Sequence, residues 1–225
     1  MIVSLARPSP PPVATSTVSI AEILLPAPLP SAYARRSATL LAGLAIIGAG
    51  DALVVSSHLG NSPFSSVIVA TASRLGWSVG STVIAIGLAL VAVAWVVTGR
   101  RPGKVAFAAP VVAGTAESIV LPLMHSGSHV VRAFTGVSGL LIIGLGVGVY
   151  LGAGLGRAAV ESIIAKVVHR TGWTTRAVMV GWHLGCLGIA FAVGGTVGPL
   201  TIAFPLVLPF VSAAVIQRSP FVGLA

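Results

Sequence analysis

The chain has 225 residues, 56% of them hydrophobic and only 8% charged. Its mean hydropathy of +1.04 excludes an ordinary water-soluble domain, in which about a quarter of residues carry charge. The formal net charge of +9 would suggest nucleic acid if the basic residues formed a patch, but they sit at the ends of apolar runs, which argues for membrane topology and against nucleic-acid binding.

Residues 1–34 carry seven of the fifteen prolines, including Pro10-Pro11-Pro12, and lack the uninterrupted apolar core of a signal peptide. They read as a disordered cytoplasmic tail. A single transmembrane domain is expected over 35–218, with 219–225 as a C-terminal tail. About 20 apolar residues cross roughly 30 Å of hydrocarbon, and the first such run is 38–57. It contains Asp51 and most of a row of small residues spaced by four, Gly48, Ala52 and Ser56, which Gly60 continues just beyond it.

A short segment follows, Leu59-Gly60-Asn61-Ser62-Pro63-Phe64-Ser65-Ser66. Ser62 suits a helix N-cap and Pro63 the first helical position. The segment runs about three turns to Arg74-x-Gly76-Trp77, so at about 1.5 Å per residue it reaches only about 18 Å. That is too short to span, and predicts an interfacial or re-entrant helix. Spans at 78–98 and 105–124 come next, the latter holding Glu117 between Pro110 and Pro122. His125 and His129 beyond it are four apart with Gly127 between them and no third ligand nearby, so no metal site is expected.

From Arg132 the chain repeats itself. Residues Arg36 to Gly99 align without a gap on Arg132 to Gly195 at an offset of 96, with Arg36/Arg132, Gly43/Gly139, Ile46-Ile47-Gly48 on Ile142-Ile143-Gly144, and Leu59-Gly60 on Leu155-Gly156 among the identities. Arg74-x-Gly76-Trp77 falls on Arg170-x-Gly172-Trp173. The second copy brings a span at 133–154 with Gly144, Gly148 and Gly152 every four residues, a row that Gly156 continues just beyond it. Next come a short segment at Leu155-Gly156-Arg157-Ala158-Ala159-Val160-Glu161-Ser162 and spans at 175–194, holding His183 and Cys186, and 197–216. Small-residue rows allow helix backbones to approach closely in lipid, where no hydrophobic force drives them together. The rows Gly48/Ala52/Ser56 and Gly144/Gly148/Gly152 are therefore expected to face each other or a common neighbour. Cys186, alone, excludes an intramolecular disulfide and reads as a packing residue.

Three crossings per copy is an odd number, so the second copy must enter from the opposite face. The predicted fold is an all-α membrane protein of six transmembrane helices in two inverted three-helix repeats (about 36–124 and 132–217), each with a short interfacial or re-entrant helix. With both termini cytoplasmic, eleven basic residues lie inside and only Arg74 and Arg132 outside, in keeping with positive-inside topology.

Asp51, Glu117 and His183 are the ionisable residues within the spans. At about 1.5 Å per residue from each span's centre they fall within about 8 Å of depth. Buried ionisable groups in hydrocarbon face a bundle interior or a wet cavity, and an acidic pair with a histidine can share a proton or hold a cation. The alternative is that each bonds backbone carbonyls near a proline-opened turn. If the short helices are re-entrant, the N–H groups around Gly60, Ser62 and Ser65 and around Gly156, Arg157 and Glu161 would favour an anion. No nucleophile–base pair is legible, so no enzyme and no cofactor are expected.

At the two Leu-Gly segments and the Arg-x-Gly-Trp sites the chain resembles the YczE-like bacterial membrane proteins, grouped with YyaS and YitT proteins, from Arg36 to about Arg218. Where that family shows a Leu-Gly-x-x-Pro-Trp-Asp type motif this chain has Leu59-Gly60-Asn61-Ser62-Pro63-Phe64-Ser65. Where it shows Gly-Pro-Arg-Asp, Arg-Thr-Gly-Trp and Gly-Gly-Thr-x-Gly, this chain reads Ala158-Ala159-Val160-Glu161, Arg170-Thr171-Gly172-Trp173 and Gly194-Gly195-Thr196-Val197-Gly198. Ser65 thus replaces an acid, Glu161 keeps one, and His183 stands where glutamate is common. The resemblance implies a multi-pass protein of the bacterial inner membrane. Two functions fit: a transporter-like protein moving a small solute, proton or ion, or a non-transporting scaffold or regulatory subunit that binds another membrane protein or a second copy of itself.

Overall fold

The computed structural model describes residues 30–124 and 127–218. Most of the predicted N-terminal tail, His125 and the C-terminal tail lie outside the described residues. Every regular element among those described is helical: α1 (Pro30–Ser57), α2 (Pro63–Leu75), α3 (Val79–Thr98), α4 (Lys104–Val120) with a 3₁₀ turn at Leu121–Leu123, α5 (His129–Gly152), α6 (Ala159–Thr171), α7 (Thr175–Ala192) and α8 (Pro199–Gln217).

Local chemistry sets these boundaries. Ser62, Ser78 and Thr174 cap α2, α3 and α7 by accepting from the backbone N–H three residues on, which satisfies one of the orphan donors of each first turn. Gly76, Gly99 and Gly172 end α2, α3 and α6 in the left-handed region, at φ 66°, 67° and 69°, where a side chain would be strained. Helices α2 and α6 both have 13 residues, about 20 Å. Among the described residues, five helices are long and apolar enough to cross a membrane: Tyr33–Ser57, Val79–Thr98, Lys104–Leu123, His129–Gly152 and Pro199–Gln217. The apolar part of α7, Ala177–Ala192, is shorter, about 24 Å.

Helix α1 packs most extensively on α5, and the two run antiparallel: Gly43 faces Gly146 and Tyr150, Gly50 faces Gly139 and Ile143, and Ser57 faces Gly136. The seam is two reciprocal glycine pairs. A Cβ on Gly43 would stand 2.9 Å from the Gly146 carbonyl oxygen and one on Gly146 2.8 Å from that of Gly43. The values for Gly50 and Gly139 are 3.0 and 2.7 Å. These pairs exchange under the offset of 96, since Gly43 maps on Gly139 and Gly50 on Gly146.

The four-spaced small-residue rows go elsewhere. Gly48 meets Ala113 of α4, while Gly144 meets Val211 and Gly148 meets Val215 of α8, so each row seats the last helix of its own half. The rows do not face each other, because the α1–α5 seam lies on the helix face that carries Gly43, Gly50, Gly139 and Gly146. Helix α4 thus leans on α1 as α8 leans on α5, and α2 packs on α7 as α6 packs on α3. One relation has no counterpart. Helix α3 is packed tightly on α4 through Gly80, Gly87 and Gly114, whereas α7 makes little contact with α8, and Gly181, Gly185 and Gly188 have open space beside them.

Candidate functional site

A cavity of about 270 Å³ lies at the centre of the bundle and is lined from all eight helices or the residues that cap them. Asp51, Glu117 and His183 all line it, as do Ser62, Phe64 and Ser65 at the start of α2 and Ala158, Ala159 and Val160 at the start of α6. The three ionisable residues singled out in the sequence therefore share one chamber with the N-terminal ends of both short helices. The C-terminal ends carry Trp77 and Trp173, which are exposed, as aromatic residues at a membrane interface are.

Asp51 is held by a short relay. The Ser65 backbone N–H donates to Ser62 Oγ at 3.0 Å, the Ser62 hydroxyl donates to Ser65 Oγ at 2.9 Å, and the Ser65 hydroxyl reaches the two carboxylate oxygens of Asp51 at 2.9 Å each. Every hydroxyl proton in this relay points toward the carboxylate. Asp51 also sits at the first turn of α2, where the helix dipole favours negative charge.

The second half repeats the chemistry with the partners exchanged. Tyr150 of α5 donates to Glu161 Oε1 at 2.5 Å, and Glu161 lies in the first turn of α6. In one half the long helix supplies the carboxylate and the short helix the hydroxyl. In the other the roles are reversed. Ser65 and Glu161 occupy equivalent positions of the repeat, so the acid absent at Ser65 is supplied by Asp51 from the neighbouring helix. With a carboxylate of the chain already at each short-helix N-terminus, neither end is left free for an external anion. Glu161 and Arg157 lie outside the cavity lining.

Glu117 is different. It is 1% exposed, close enough to Asp51 for the two carboxyls to interact electrostatically, and its Oε1 has no hydrogen-bond partner among the described residues. An unpaired buried carboxyl oxygen costs several kcal/mol relative to a paired one, so a group that supplies positive charge or a donor there is strongly favoured. His183 is half-buried and lines the same chamber. Phe64 approaches Trp182 of α7 with ring centroids 6.2 Å apart. Cys186 is buried and free.

Two further regions frame the chamber. Where α2 meets the α7–α8 connection the chain is fastened: Ser66 Oγ donates to the Thr196 carbonyl at 3.1 Å, and the Leu200 N–H donates to the Leu59 carbonyl at 3.2 Å. Gly60 and Gly198 meet so closely that a Cβ on Gly60 would stand 2.6 Å from the Gly198 nitrogen. Ser66 and Ala190 are each 0% exposed there. At the repeat-related place, where α6 meets the α3–α4 connection, lies a cavity of about 430 Å³ lined by Ala94, Arg100, Pro102, Ser162 and Lys166 among others. Ala94, Ser162 and Lys166 are the repeat mates of Ala190, Ser66 and Ala70, and Arg100 and Pro102 lie in the α3–α4 connection as Thr196 and Gly198 lie in the α7–α8 connection. A Cβ on Gly156, the mate of Gly60, would approach no atom more closely than 3.4 Å, at Val105. Ala106 and Ala159 line both this cavity and the central one, so they form the wall between them.

Arg132 secures the end of α1, its Nε donating to the Ser57 carbonyl at 2.7 Å and its Nη2 to the His58 carbonyl at 3.2 Å. This is a cation placed on the negative end of a helix dipole.

Residues 34–212 match a family of unknown function, DUF6198. The chain is 32% identical to the uncharacterized membrane protein YczE of Bacillus subtilis (strain 168) over 70% of this chain and 74% of that one. It is 26% identical to the uncharacterized protein YyaS of the same organism over 48% of this chain and 56% of that one. No solved structure matches.

Proposed function

The chain is a membrane protein of the DUF6198 family, and from that premise we propose that it is a six-span, inverted-repeat protein of the bacterial inner membrane that moves a small solute or ion by alternating access. In this reading α7 is the sixth span, both termini are cytoplasmic, and α2 and α6 are re-entrant helices that meet the central chamber from opposite faces. The antiparallel α1–α5 pair supports the inversion. A two-fold axis that exchanges antiparallel spanning helices lies in the membrane plane.

One observation carries the transport reading: positions related by the repeat are packed shut at one end of the chamber and line a cavity at the other. Such a fold has two alternative arrangements of similar energy, because each half can adopt the conformation of its mate, and interchange would close the Ser162 end and open the Ser66 end. The basic residues Arg100, Arg101 and Lys104 support a cytoplasmic location for the open end.

Thiol labelling tests this. In a Cys186→Ala background, Ser162→Cys is expected to react with a membrane-impermeant reagent from the cytoplasmic side, and Ser66→Cys to be protected. Conditions that drive turnover should expose Ser66→Cys to the outside and protect Ser162→Cys. Labelling of both from one side would sink the inverted topology. Fixed labelling under all conditions, with the chamber unreactive, would instead support a scaffold or regulatory subunit. The uncovered glycine face of α7 is the observation favouring that second reading, since a partner helix could seat on it.

A further inference from the structure

We infer that the central chamber takes a small organic monocation, an amine or quaternary ammonium whose charge sits at Glu117 and whose apolar substituents contact the surrounding wall. This rests on the transport reading only for what happens after binding.

The charge inventory of the chamber is one-sided. Its lining includes two carboxyls and one histidine, with no lysine or arginine. Asp51 is already engaged by Ser65 and by the start of α2, and the start of α6 has its own carboxylate in Glu161. Glu161 Oε2 is also buried without a partner but lies outside the lining; within the lining the buried side-chain oxygen left without one is Glu117 Oε1, on a side chain 1% exposed. Two carboxyls that feel one another in a low-dielectric wall are stabilised by a positive charge between them.

The rest of the wall decides what kind of cation. A hard inorganic ion replaces its water with some six oxygen ligands, and of the side chains that bring oxygen to the lining, Asp51, Ser62 and Ser65 are already bonded to one another. Among the described residues no group of three or more His, Cys, Asp or Glu is placed to hold a metal ion. Most of the lining is apolar, with Ile68, Val83, Leu90 and Leu208 among it. That surface suits hydrocarbon substituents on a charged nitrogen and offers little to a hydrated ion. Phe64 also presents an aromatic ring to the chamber, a surface that attracts a cation to its face within about 6 Å. A charge of one sign, an apolar body and an aromatic wall together define the ligand class.

The full chain in nanodiscs of uncharged phosphatidylcholine, titrated calorimetrically, tests the inference. Tetraethylammonium is the cationic probe, 3-ethyl-3-pentanol the neutral probe of similar bulk, and sodium chloride the inorganic control. Tetraethylammonium is expected to saturate one site. Glu117→Gln should weaken it at least tenfold with the melting temperature of the empty protein held or raised, and Phe64→Leu should weaken it a few-fold. Undiminished binding to Glu117→Gln, equal binding of the neutral probe, or sodium binding without tetraethylammonium binding would each overturn the proposal. Should Glu117→Gln not fold, Phe64→Leu and the comparison of charged with neutral probe decide. Binding here with no flux in proteoliposomes would leave this inference standing and end the transport reading. Flux of another solute with no tetraethylammonium binding would do the reverse.

Discussion

Ser65 donates to both carboxylate oxygens of Asp51, and Ser65 itself is buried. Removing the hydroxyl leaves a half-buried carboxylate short of a donor. Ser65→Ala is therefore expected to destabilise the protein by about 1–3 kcal/mol, read as a fall in melting temperature in detergent. Ser65→Thr, which keeps the hydroxyl, should recover much of the loss. His58 makes the opposite case. It sits at φ 55°, exposed, at the position whose repeat mate is Gly154, φ 65°. A non-glycine residue held in the left-handed region costs on the order of 1 kcal/mol or more. His58→Gly removes that strain while leaving the carbonyl that Arg132 grips, so the expected outcome is an unchanged or raised melting temperature; a fall would mean that the imidazole makes a contact essential to the turn. Asp51, Glu117 and His183 stand out in the sequence because ionisable residues are rare in apolar runs. Their bonding partners do not. Nothing at offset 14 links Asp51 to Ser65, and nothing at offset 11 links Tyr150 to Glu161, since both bonds depend on how a short helix folds back against a long one.

At the scale of elements, the α1–α5 seam is where substitution should be felt most. Gly43 and Gly146 each face the other's backbone oxygen at under 3 Å for an added Cβ, and backbone cannot rotate away. Gly146→Val is expected to cost more than the 1–3 kcal/mol typical of overpacking. Gly181→Val on α7, with nothing within 4 Å, should cost little, and thermal melts of the two variants side by side measure the contrast. A large cost at Gly181 would reveal a partner on that face. Helix positions were readable from apolar run length and capping residues: the segments at 38–57, 78–98, 105–124, 133–154, 175–194 and 197–216 each fall on a helix, as do the two short ones. Which glycines face which helix was not readable. A four-residue spacing identifies a ridge but not its neighbour, and α1 carries two small-residue faces, one toward α4 and one toward α5. The pairing follows from the crossing geometry of the whole bundle.

For the molecule as a whole, the informative quantity is the difference between its two halves. The duplication is legible in the sequence; the asymmetry is not, because it lies in the packing of residues that are themselves matched, such as Ser66 with Ser162 and Ala190 with Ala94. Gly198 is the place to perturb that balance. A Cβ there would collide with the Leu59 carbonyl and stand 2.9 Å from the Gly60 nitrogen, both backbone atoms, so the clash is relieved only by parting the α2 entry from the α7–α8 connection. Gly103 precedes α4 as Gly198 precedes α8, and a Cβ on Gly103 would meet nothing within 4 Å, so the corresponding position has room for a side chain at the open end. Gly198→Ala should therefore penalise the closed Ser66 end selectively. A penalty of about 1–3 kcal/mol would move a two-state equilibrium by roughly 5- to 150-fold. The expected outcome is that Ser66→Cys, protected in the Cys186→Ala background, becomes labelled from outside once Gly198→Ala is added, while Ser162→Cys loses reactivity. If both cysteines become reactive together, the two ends are not coupled and the halves do not exchange conformations. If neither changes while the melting temperature falls, the Gly60–Gly198 contact is a fixed brace, and the difference between the halves is permanent.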